Sequence, residues 1–262
     1  MSRVADLPLL RLRHGCAACS LRHSCLPAGM LGGDLWRLDG IVRRRSPMER
    51  GDRLFRTGDV LSSIFVVRDG GFKTVVLREN GEEQVLGFHL PGDLVGLDAV
   101  GLGNHRCDAV ALTSTNVCEI RFEDLAGAFA DLPSLHKQLL RLIGQHSNRD
   151  QDHMAILVRP QANERIALFL LNVAGRYRLA LFPVHAFKLP MSRGDIARYM
   201  GLASETVSRG FSRLQDDGVI ALQGRVVTIL NAGALGRLAQ HEEMIEPPRH
   251  NERRVACIHG AV

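Results

Sequence analysis

The chain lacks any long apolar run and any secretory leader pattern. No apolar stretch approaches the ~20 residues that a membrane-spanning helix needs, so we expect no membrane segment. The short apolar patch Leu7–Leu10 precedes Arg11 and Arg13, and this order is wrong for a signal peptide. These absences predict a cytoplasmic protein.

The chain also lacks the features of an extracellular disulfide protein. Its cysteines are Cys16, Cys19, Cys25, Cys107, Cys118 and Cys257. A structural disulfide framework is not expected in the cytosol, and three of the six lie within ten residues, which favours metal binding. No general-base constellation or cofactor loop accompanies them. An enzyme that uses Cys19 or Cys25 as a redox nucleophile is therefore not favoured.

The spacing Cys16-x2-Cys19-x5-Cys25 places three thiols on one short segment. Soft thiolates suit zinc or an iron–sulfur cluster, although a structural zinc site more often has two C-x2-C pairs than one. The fourth ligand must come from elsewhere. Cys118, in the strand-like run 115–122, is the main candidate, although an isolated cysteine in a strand is usually a small buried apolar residue. The other two cysteines, in a loop-like stretch and in the tail, are weaker candidates.

Composition and charge favour a globular protein with a nucleic-acid partner. Hydrophobic residues make up 45% of the chain and charged residues 23%, which is the usual balance of soluble proteins. A length of 262 residues suffices for two domains with separate cores. The net charge of +5 fits a nucleic-acid partner without requiring one.

Short β-type segments dominate the region from about 40 to 122. The runs 63–68, 72–77 and 83–88 are rich in β-branched and aromatic residues. Asp69-Gly70-Gly71 and Asn80-Gly81 fall between them as hairpin signals. Nothing here alternates with helices, so the pattern predicts a small antiparallel barrel or roll.

A helical period begins near Leu132. Leucines recur at three and four residues, the stripe continues to Leu157, and Pro160 ends it. A helix of some 26 residues with an apolar seam is typical of dimerisation, although the helix could instead pack on its own domain. The predicted interface consists of Leu139, Leu142, Ile143, His146, Asp150, His153 and Leu157.

The second half of this seam is polar. Asp150 near a helix–helix contact is costly to desolvate without a partner. A dimer held in this way would be weak and therefore switchable. The alternative is that these polar residues simply face water.

The region 190–235 has the pattern of a winged helix-turn-helix. Ser192 and Asp195 fit a capping box, and Gly201 stands where a first helix ends. A second helix follows over 204–214, and two β-type runs on either side of Gly224 form a wing. The alternative is a helical hairpin of a small packing domain.

Three side chains of the second helix are candidates for base contacts. Glu205, Ser208 and Arg209 share one face in the turns that meet base edges in a major groove. Arginine can bind guanine with two hydrogen bonds, glutamate can accept from cytosine, and serine is permissive. In the alternative, Glu205 and Arg209 are a solvated ion pair.

The ordered set of motifs resembles the CRP/FNR superfamily, and within it the FNR (fumarate and nitrate reductase regulator) branch. The resemblance covers about residues 14–235, and no single piece of it would be specific. It is carried by Cys16-x2-Cys19-x5-Cys25 and by the segments 87–96, 115–122, 149–152 and 205–209.

This resemblance implies the following architecture and function. The fold is α+β: a cysteine-bearing arm (1–30), a β-roll like a cyclic-nucleotide-binding jelly roll (31–130), a dimerisation helix (131–159), a winged helix-turn-helix (160–238) and a disordered tail (239–262). The implied function is oxygen sensing through a [4Fe-4S] cluster on Cys16, Cys19, Cys25 and Cys118. Asp150 would oppose dimerisation once the cluster is lost. Palindromic DNA with TTGAT half-sites and RNA polymerase are the implied partners.

Cyclic nucleotides are not expected to bind. The cyclic-nucleotide branch typically carries Gly-Glu-Leu where this chain has Gly96-Leu97-Asp98, and Arg106-Cys107 only partly matches its Arg-Ser or Arg-Thr. The remaining alternatives are a regulator that binds zinc and a cofactor-free binding module with an effector pocket in the β-roll. Neither would respond to oxygen.

Overall fold

The computed structural model describes residues 15–179 and 186–239. The first part of the predicted arm, the predicted disordered tail beyond 239 and Cys257 lie outside these residues. Two β-sheets come first, then a long helix, then a smaller unit of helices and a third sheet. The predicted α+β fold with a β-roll and a C-terminal helix-turn-helix is confirmed.

The helices are α1 (Gly33–Ile41), α2 (Phe122–Ala128), α3 (Pro133–Leu157), α4 (Ala162–Leu179), α5 (Arg193–Met200), α6 (Ser204–Asp216) and α7 (Ala232–Leu238). The strands are β1 (Val42–Arg44), β2 (Arg53–Phe55), β3 (Ser63–Asp69), β4 (Phe72–Leu77), β5 (Glu83–His89), β6 (Leu94–Val95), β7 (Asp108–Ala111), β8 (Asn116–Arg121), β9 (Ala186–Lys188), β10 (Ile220–Gln223) and β11 (Val226–Ile229).

Two four-stranded antiparallel sheets form the roll, with strand orders β1-β8-β3-β6 and β2-β7-β4-β5. The alternation of side chains along β3 explains how the first sheet is buried on both faces. Phe65 and Val67 point inward to the core between the sheets, whereas Ile64 and Val66 point outward to the helices and the arm. The turn between β3 and β4 requires Gly70, whose φ is +75°.

The long helix α3 begins with Pro133 in its first turn and covers the outer face of the first sheet. Leu135, Leu139 and Leu142 are buried there together with Leu38 and Ile120. This face of α3 is therefore covered by the same chain.

The C-terminal unit packs against the roll rather than standing apart from it. Val85 and Phe88 of β5 belong to the same apolar cluster as Phe169 of α4, Ile196 of α5 and Phe211 of α6. The third sheet has the order β10-β11-β9. Its strand β9 precedes the helix-turn-helix and was not predicted, because three residues are too few to give a usable period.

Candidate cysteine site and DNA-binding face

Four thiols from two distant parts of the chain line one cavity. Cys16, Cys19 and Cys25 come from the arm, and Cys118 comes from β8. Along β8, Val117 points into the roll, so its neighbour Cys118 points outward beneath the arm. The sequence-predicted ligands are thus brought to one place.

The arm is held in position by backbone hydrogen bonds and by apolar anchors. The amide of Cys16 donates to Asp39 Oδ1 at 3.1 Å, and the amide of Cys25 donates to the Leu21 oxygen at 2.9 Å. Leu21 and Leu26 are both buried. The arm segment from residue 15 onward is therefore packed on the roll and on α3.

Burial is the main cause of the raised pKa values of Cys16, Cys25 and Cys118. Burial, the carboxylate of Asp39 and the neighbouring Cys118 and Cys19 raise the pKa of Cys16 to about 12. Burial also raises the pKa of Cys25 and that of Cys118. Cys25 therefore does not have the low pKa of a redox nucleophile.

The donor set fits an iron–sulfur cluster. A [4Fe-4S] cluster takes four cysteine thiolates, which is the set that surrounds this cavity. The remaining walls are largely apolar, with Leu26, Leu38, Val66 and Ile120 among them. In residues 15–179 and 186–239, no three His, Cys, Asp or Glu side chains are grouped as ligands of one metal ion.

The helix-turn-helix is built by local interactions. Ser192 and Asp195 form the predicted capping box at the start of α5, with Asp195 donating its amide to Ser192 Oγ at 3.1 Å. Gly201 ends α5 with a φ of +65°, a left-handed conformation that favours glycine. Helix α6 then starts at Ser204.

Helix α6 presents a polar face to solvent. Glu205, Ser208 and Arg209 are all exposed, and Ser208 Oγ donates to the Ser204 oxygen at 2.9 Å. No ion pair between Glu205 and Arg209 occurs in the described part of the chain. The opposite face, with Val207, Phe211 and Leu214, is buried. Both charged side chains are therefore free to meet a ligand.

The predicted dimer residues of α3 lie on two different faces. Leu139 and Leu142 are only 8% and 4% exposed, because they pack on the roll of the same chain. His146 and His153 are half-buried at the junction with β5 and α5, where His153 Nε2 donates to the Tyr199 oxygen at 2.7 Å. The remaining three, Ile143, Asp150 and Leu157, are exposed.

Six of the exposed residues of α3 lie on one stripe. It is spaced at three and four residues and consists of Leu140, Ile143, Ser147, Asp150, Met154 and Leu157. Leu140 and Met154 are 57% and 58% exposed. This stripe is the face of α3 on which a partner helix could pack.

Several charged residues at the junction between the roll and the C-terminal unit were missed in the sequence. Lys73 of β4 binds Glu83 at 2.8 Å and Asp195 of α5 at 3.0 Å. Asp93, in the turn after β5, binds both Arg149 and Arg176. The only local signal was a lysine inside an otherwise apolar strand, since the partners are far apart in sequence.

The fold and the exposed face of α6 define a class of protein: a helix-turn-helix transcription regulator with a roll of the cyclic-nucleotide-binding type. Residues 45–131 match the family model of the cyclic nucleotide-binding domain, and residues 164–238 match that of the Crp-like helix-turn-helix domain. The chain belongs to the CRP/FNR family, and it is an FNR-like regulator and not an enzyme.

The relatives agree with this assignment. The chain is 41% identical to the fumarate and nitrate reduction regulatory protein of Salmonella typhimurium over 226 residues, which cover 86% of this chain and 90% of the relative. The same values hold for the protein of that name from Escherichia coli K12. The structure of FixK2 from Bradyrhizobium japonicum is 30% identical, with a TM-score of 0.68 over 76% of this chain and 97% of the other. No helix in the described ranges has the length and apolarity to cross a membrane.

Proposed function

We propose that this chain is an oxygen-responsive, cytoplasmic transcription regulator that binds palindromic DNA with TTGAT-type half-sites as a homodimer. Cys16, Cys19, Cys25 and Cys118 would hold a [4Fe-4S] cluster, and promoters used under anaerobic or microaerobic conditions would be the targets. RNA polymerase is the further partner. The observation that carries the proposal is that these four thiols, three from the arm and one from β8, line one cavity.

When bound, the cluster supplies an oxygen-labile centre that needs all four thiolates. The arm would contribute three of them and β8 the fourth, so the four ligands together would fasten the arm to the roll. Gln138 of α3 donates its Nε2 to the Cys25 oxygen at 2.8 Å. The position of the arm is thereby linked to the helix that carries the exposed stripe.

DNA binding is assigned to Glu205, Ser208 and Arg209. Their exposure on the first turns of α6 supports contacts with base edges in a major groove. A homodimer formed through the stripe of α3 would present two such helices. Dimerisation and DNA binding would then be coupled, because each half-site contact alone is weak.

Cyclic nucleotides are excluded from the proposal on a structural ground. Asp98 Oδ2 accepts the backbone N–H of Arg106 at 2.8 Å and lies 3.5 Å from the Cys107 sulfur. A negative carboxylate therefore already takes the donors at the position where the cyclic-nucleotide branch typically carries Arg-Ser or Arg-Thr. A cyclic phosphate would meet a like charge there.

The test is an absorbance spectrum of the anaerobically purified protein, with iron and acid-labile sulfide analysis, followed by brief exposure to air. We expect about four irons and four sulfides per chain, as for one [4Fe-4S] cluster, and a broad visible band that bleaches in air. Cys118→Ala should lose the chromophore, whereas Cys107→Ala, which alters a buried thiol outside the cavity, should keep it. Zinc or no metal, with DNA binding unchanged by air, would remove the oxygen switch and leave the DNA-binding assignment intact.

A further inference from the structure

The carboxylate of Asp93 lies where the roll, the long helix α3 and helix α4 of the C-terminal unit meet. Asp93 lies in the short turn between β5 and β6 and is 8% exposed. Its Oδ2 accepts the amide of Leu90 at 2.7 Å, and its main-chain oxygen accepts the amide of Val67 at 3.0 Å. The turn is thus fixed to the first sheet, and the carboxylate has little freedom to move.

Two arginines from different helices bind this one carboxylate. Arg149 of α3 donates its Nη1 to Asp93 Oδ1 at 2.7 Å. Arg176 of α4 donates its Nη2 to Asp93 Oδ2 and also to the Phe88 oxygen. Although burial alone would raise the pKa of Asp93, Arg176 and Arg149 hold it below its usual range. Asp93 is therefore charged whenever both arginines are in place.

The same turn lies next to the cysteine-bearing arm. A Cβ placed on Gly92 would lie 3.6 Å from Ser24 Oγ, which is van der Waals contact, so only the missing side chain of Gly92 separates the turn from the arm. Ser24 immediately precedes Cys25, one of the proposed ligands. A movement of the arm at Cys25 therefore changes the immediate surroundings of the turn.

We propose that Asp93 is a positioning residue that couples the cysteine-bearing arm to both the long helix and the DNA-binding unit through its shared ion pairs with Arg149 and Arg176. The direction of the signal, from arm to DNA, rests on the proposed function. The contact itself does not, since it is formed by residues that need no metal.

A displacement of Asp93 is expected to displace both arginines, because breaking these ion pairs costs free energy. Buried ion pairs contribute little net stability, but removal of one partner leaves the others charged and desolvated. If Asp93 moves, two guanidinium groups lose their partner at once. The helices α3 and α4 must then adjust together, and they are separated only by the short junction around Pro160.

The test uses the full-length protein, purified without oxygen, and compares Asp93→Asn with Asp69→Asn. Asp69 is an exposed aspartate of β3 that accepts hydrogen bonds from Asn116, so its substitution removes one carboxylate without touching the turn. Amide hydrogen exchange is followed in peptides covering residues 21–26 and 156–166, which report on the arm and on the junction. Iron content and affinity for a duplex with two TTGAT half-sites are measured on the same samples.

We expect Asp93→Asn to exchange at least tenfold faster in both peptides and to bind the duplex about tenfold more weakly, with the iron content of the parent. Asp69→Asn should match the parent throughout. Arg149→Gln, which keeps the Asp93–Arg176 pair, should give the same changes at smaller size and provides the test if Asp93→Asn does not fold. Unchanged exchange, or faster exchange in only one of the two peptides, would overturn the coupling. A parent protein without iron would instead overturn the proposed function, and the exchange comparison would still decide on Asp93.

Discussion

Gln138 Nε2, in the second turn of the long helix, donates a hydrogen bond to the main-chain oxygen of Cys25 at 2.8 Å. The same side chain accepts a bond from Arg141 Nε at 2.9 Å and is only 7% exposed. A residue of the predicted dimerisation helix thus holds the backbone of a proposed cluster ligand. Through this hydrogen bond, the position of the arm is linked directly to that of α3.

Replacement of Gln138 by leucine should loosen the arm. The Cys25 oxygen would lose one of its two donors and keep the amide of Ala28 at 3.0 Å, so we expect the free energy of unfolding to fall by about 0.5–1.5 kcal/mol. Chemical denaturation under nitrogen measures this loss. The control is Gln151→Leu, which alters an exposed position on the same helix. Equal losses in the two variants would show that the Gln138–Cys25 bond contributes nothing specific.

Asp150→Ala should give a dimer that tolerates air. Asp150 lies on the exposed stripe of α3, and its side chain is 64% exposed in the single chain. Packing two copies of the stripe together would desolvate this charge, and alanine removes that cost. Sedimentation in air measures the association, with Asp152→Ala, on another face of the helix, as the control. A monomeric Asp150→Ala variant in air would contradict the assignment of the stripe as the interface.

Arg209→Ala should weaken DNA binding in a base-specific way. Loss of a two-bond contact with guanine costs roughly 1–3 kcal/mol at that position and relaxes the preference there. The measurement is the affinity for the TTGAT duplex and for variants with one altered base pair each. If all duplexes are weakened equally, Arg209 is a phosphate contact and not a reader of sequence.

Gly70→Ala should destabilise the roll much more than Gly81→Ala. Both glycines have positive φ, +75° and +80°, so both substitutions carry the backbone strain of about 1–2 kcal/mol. A Cβ on Gly70 would also lie 2.6 Å from the Ser114 oxygen, whereas one on Gly81 would meet nothing within 4 Å. Thermal unfolding of the two variants separates the clash from the strain. Similar melting temperatures would mean that the backbone at Ser114 yields freely.

His89 should make the folded protein sensitive to mild acid. Burial is the main cause that lowers the pKa of His89 to about 3. Below about pH 6.5 this histidine takes up a proton in the unfolded chain but not in the folded chain. The free energy of unfolding is therefore not reduced by His89 above about pH 6.5. It falls by roughly 1.4 kcal/mol per pH unit as the pH decreases toward 3. Urea unfolding between pH 7.5 and 4.5 should show a shallower decline for His89→Gln than for the parent. The exposed His136→Gln should follow the parent, and an unaltered slope in His89→Gln would contradict the burial argument.

Most elements of the fold could be predicted from local patterns in the sequence. The capping box at Ser192, the turn at Gly201 and the strand-forming run of β3 each depend on residues within a few positions of one another, so they could be predicted from the sequence. The place of Cys118 also followed from a strand pattern once the family resemblance was recognised. These are features in which short-range geometry decides the outcome.

The remaining features depend on contacts between distant segments. The period of Leu139 and Leu142 indicated an apolar face of α3 but not what would cover it, and in the single chain the roll covers it. The pairing of Asp93 with Arg149 and Arg176 joins residues 56 and 83 positions apart, for which no spacing rule exists. Periodicity identifies a face, and only the assembled fold shows its neighbour.

Gly210 sets how α6 can move. A Cβ at this position would lie 2.3 Å from Ile166 Cδ1, so the absence of a side chain lets the backbone of α6 approach α4 very closely. This close packing is expected to oppose independent movement of the two helices, because interiors packed at native density resist small displacements. We therefore expect helix α4, which carries Arg176, and helix α6, which carries Arg209, to move together. A displacement of the Arg176 guanidinium would then reorient α4 and α6 as one unit and would not bend one helix relative to the other.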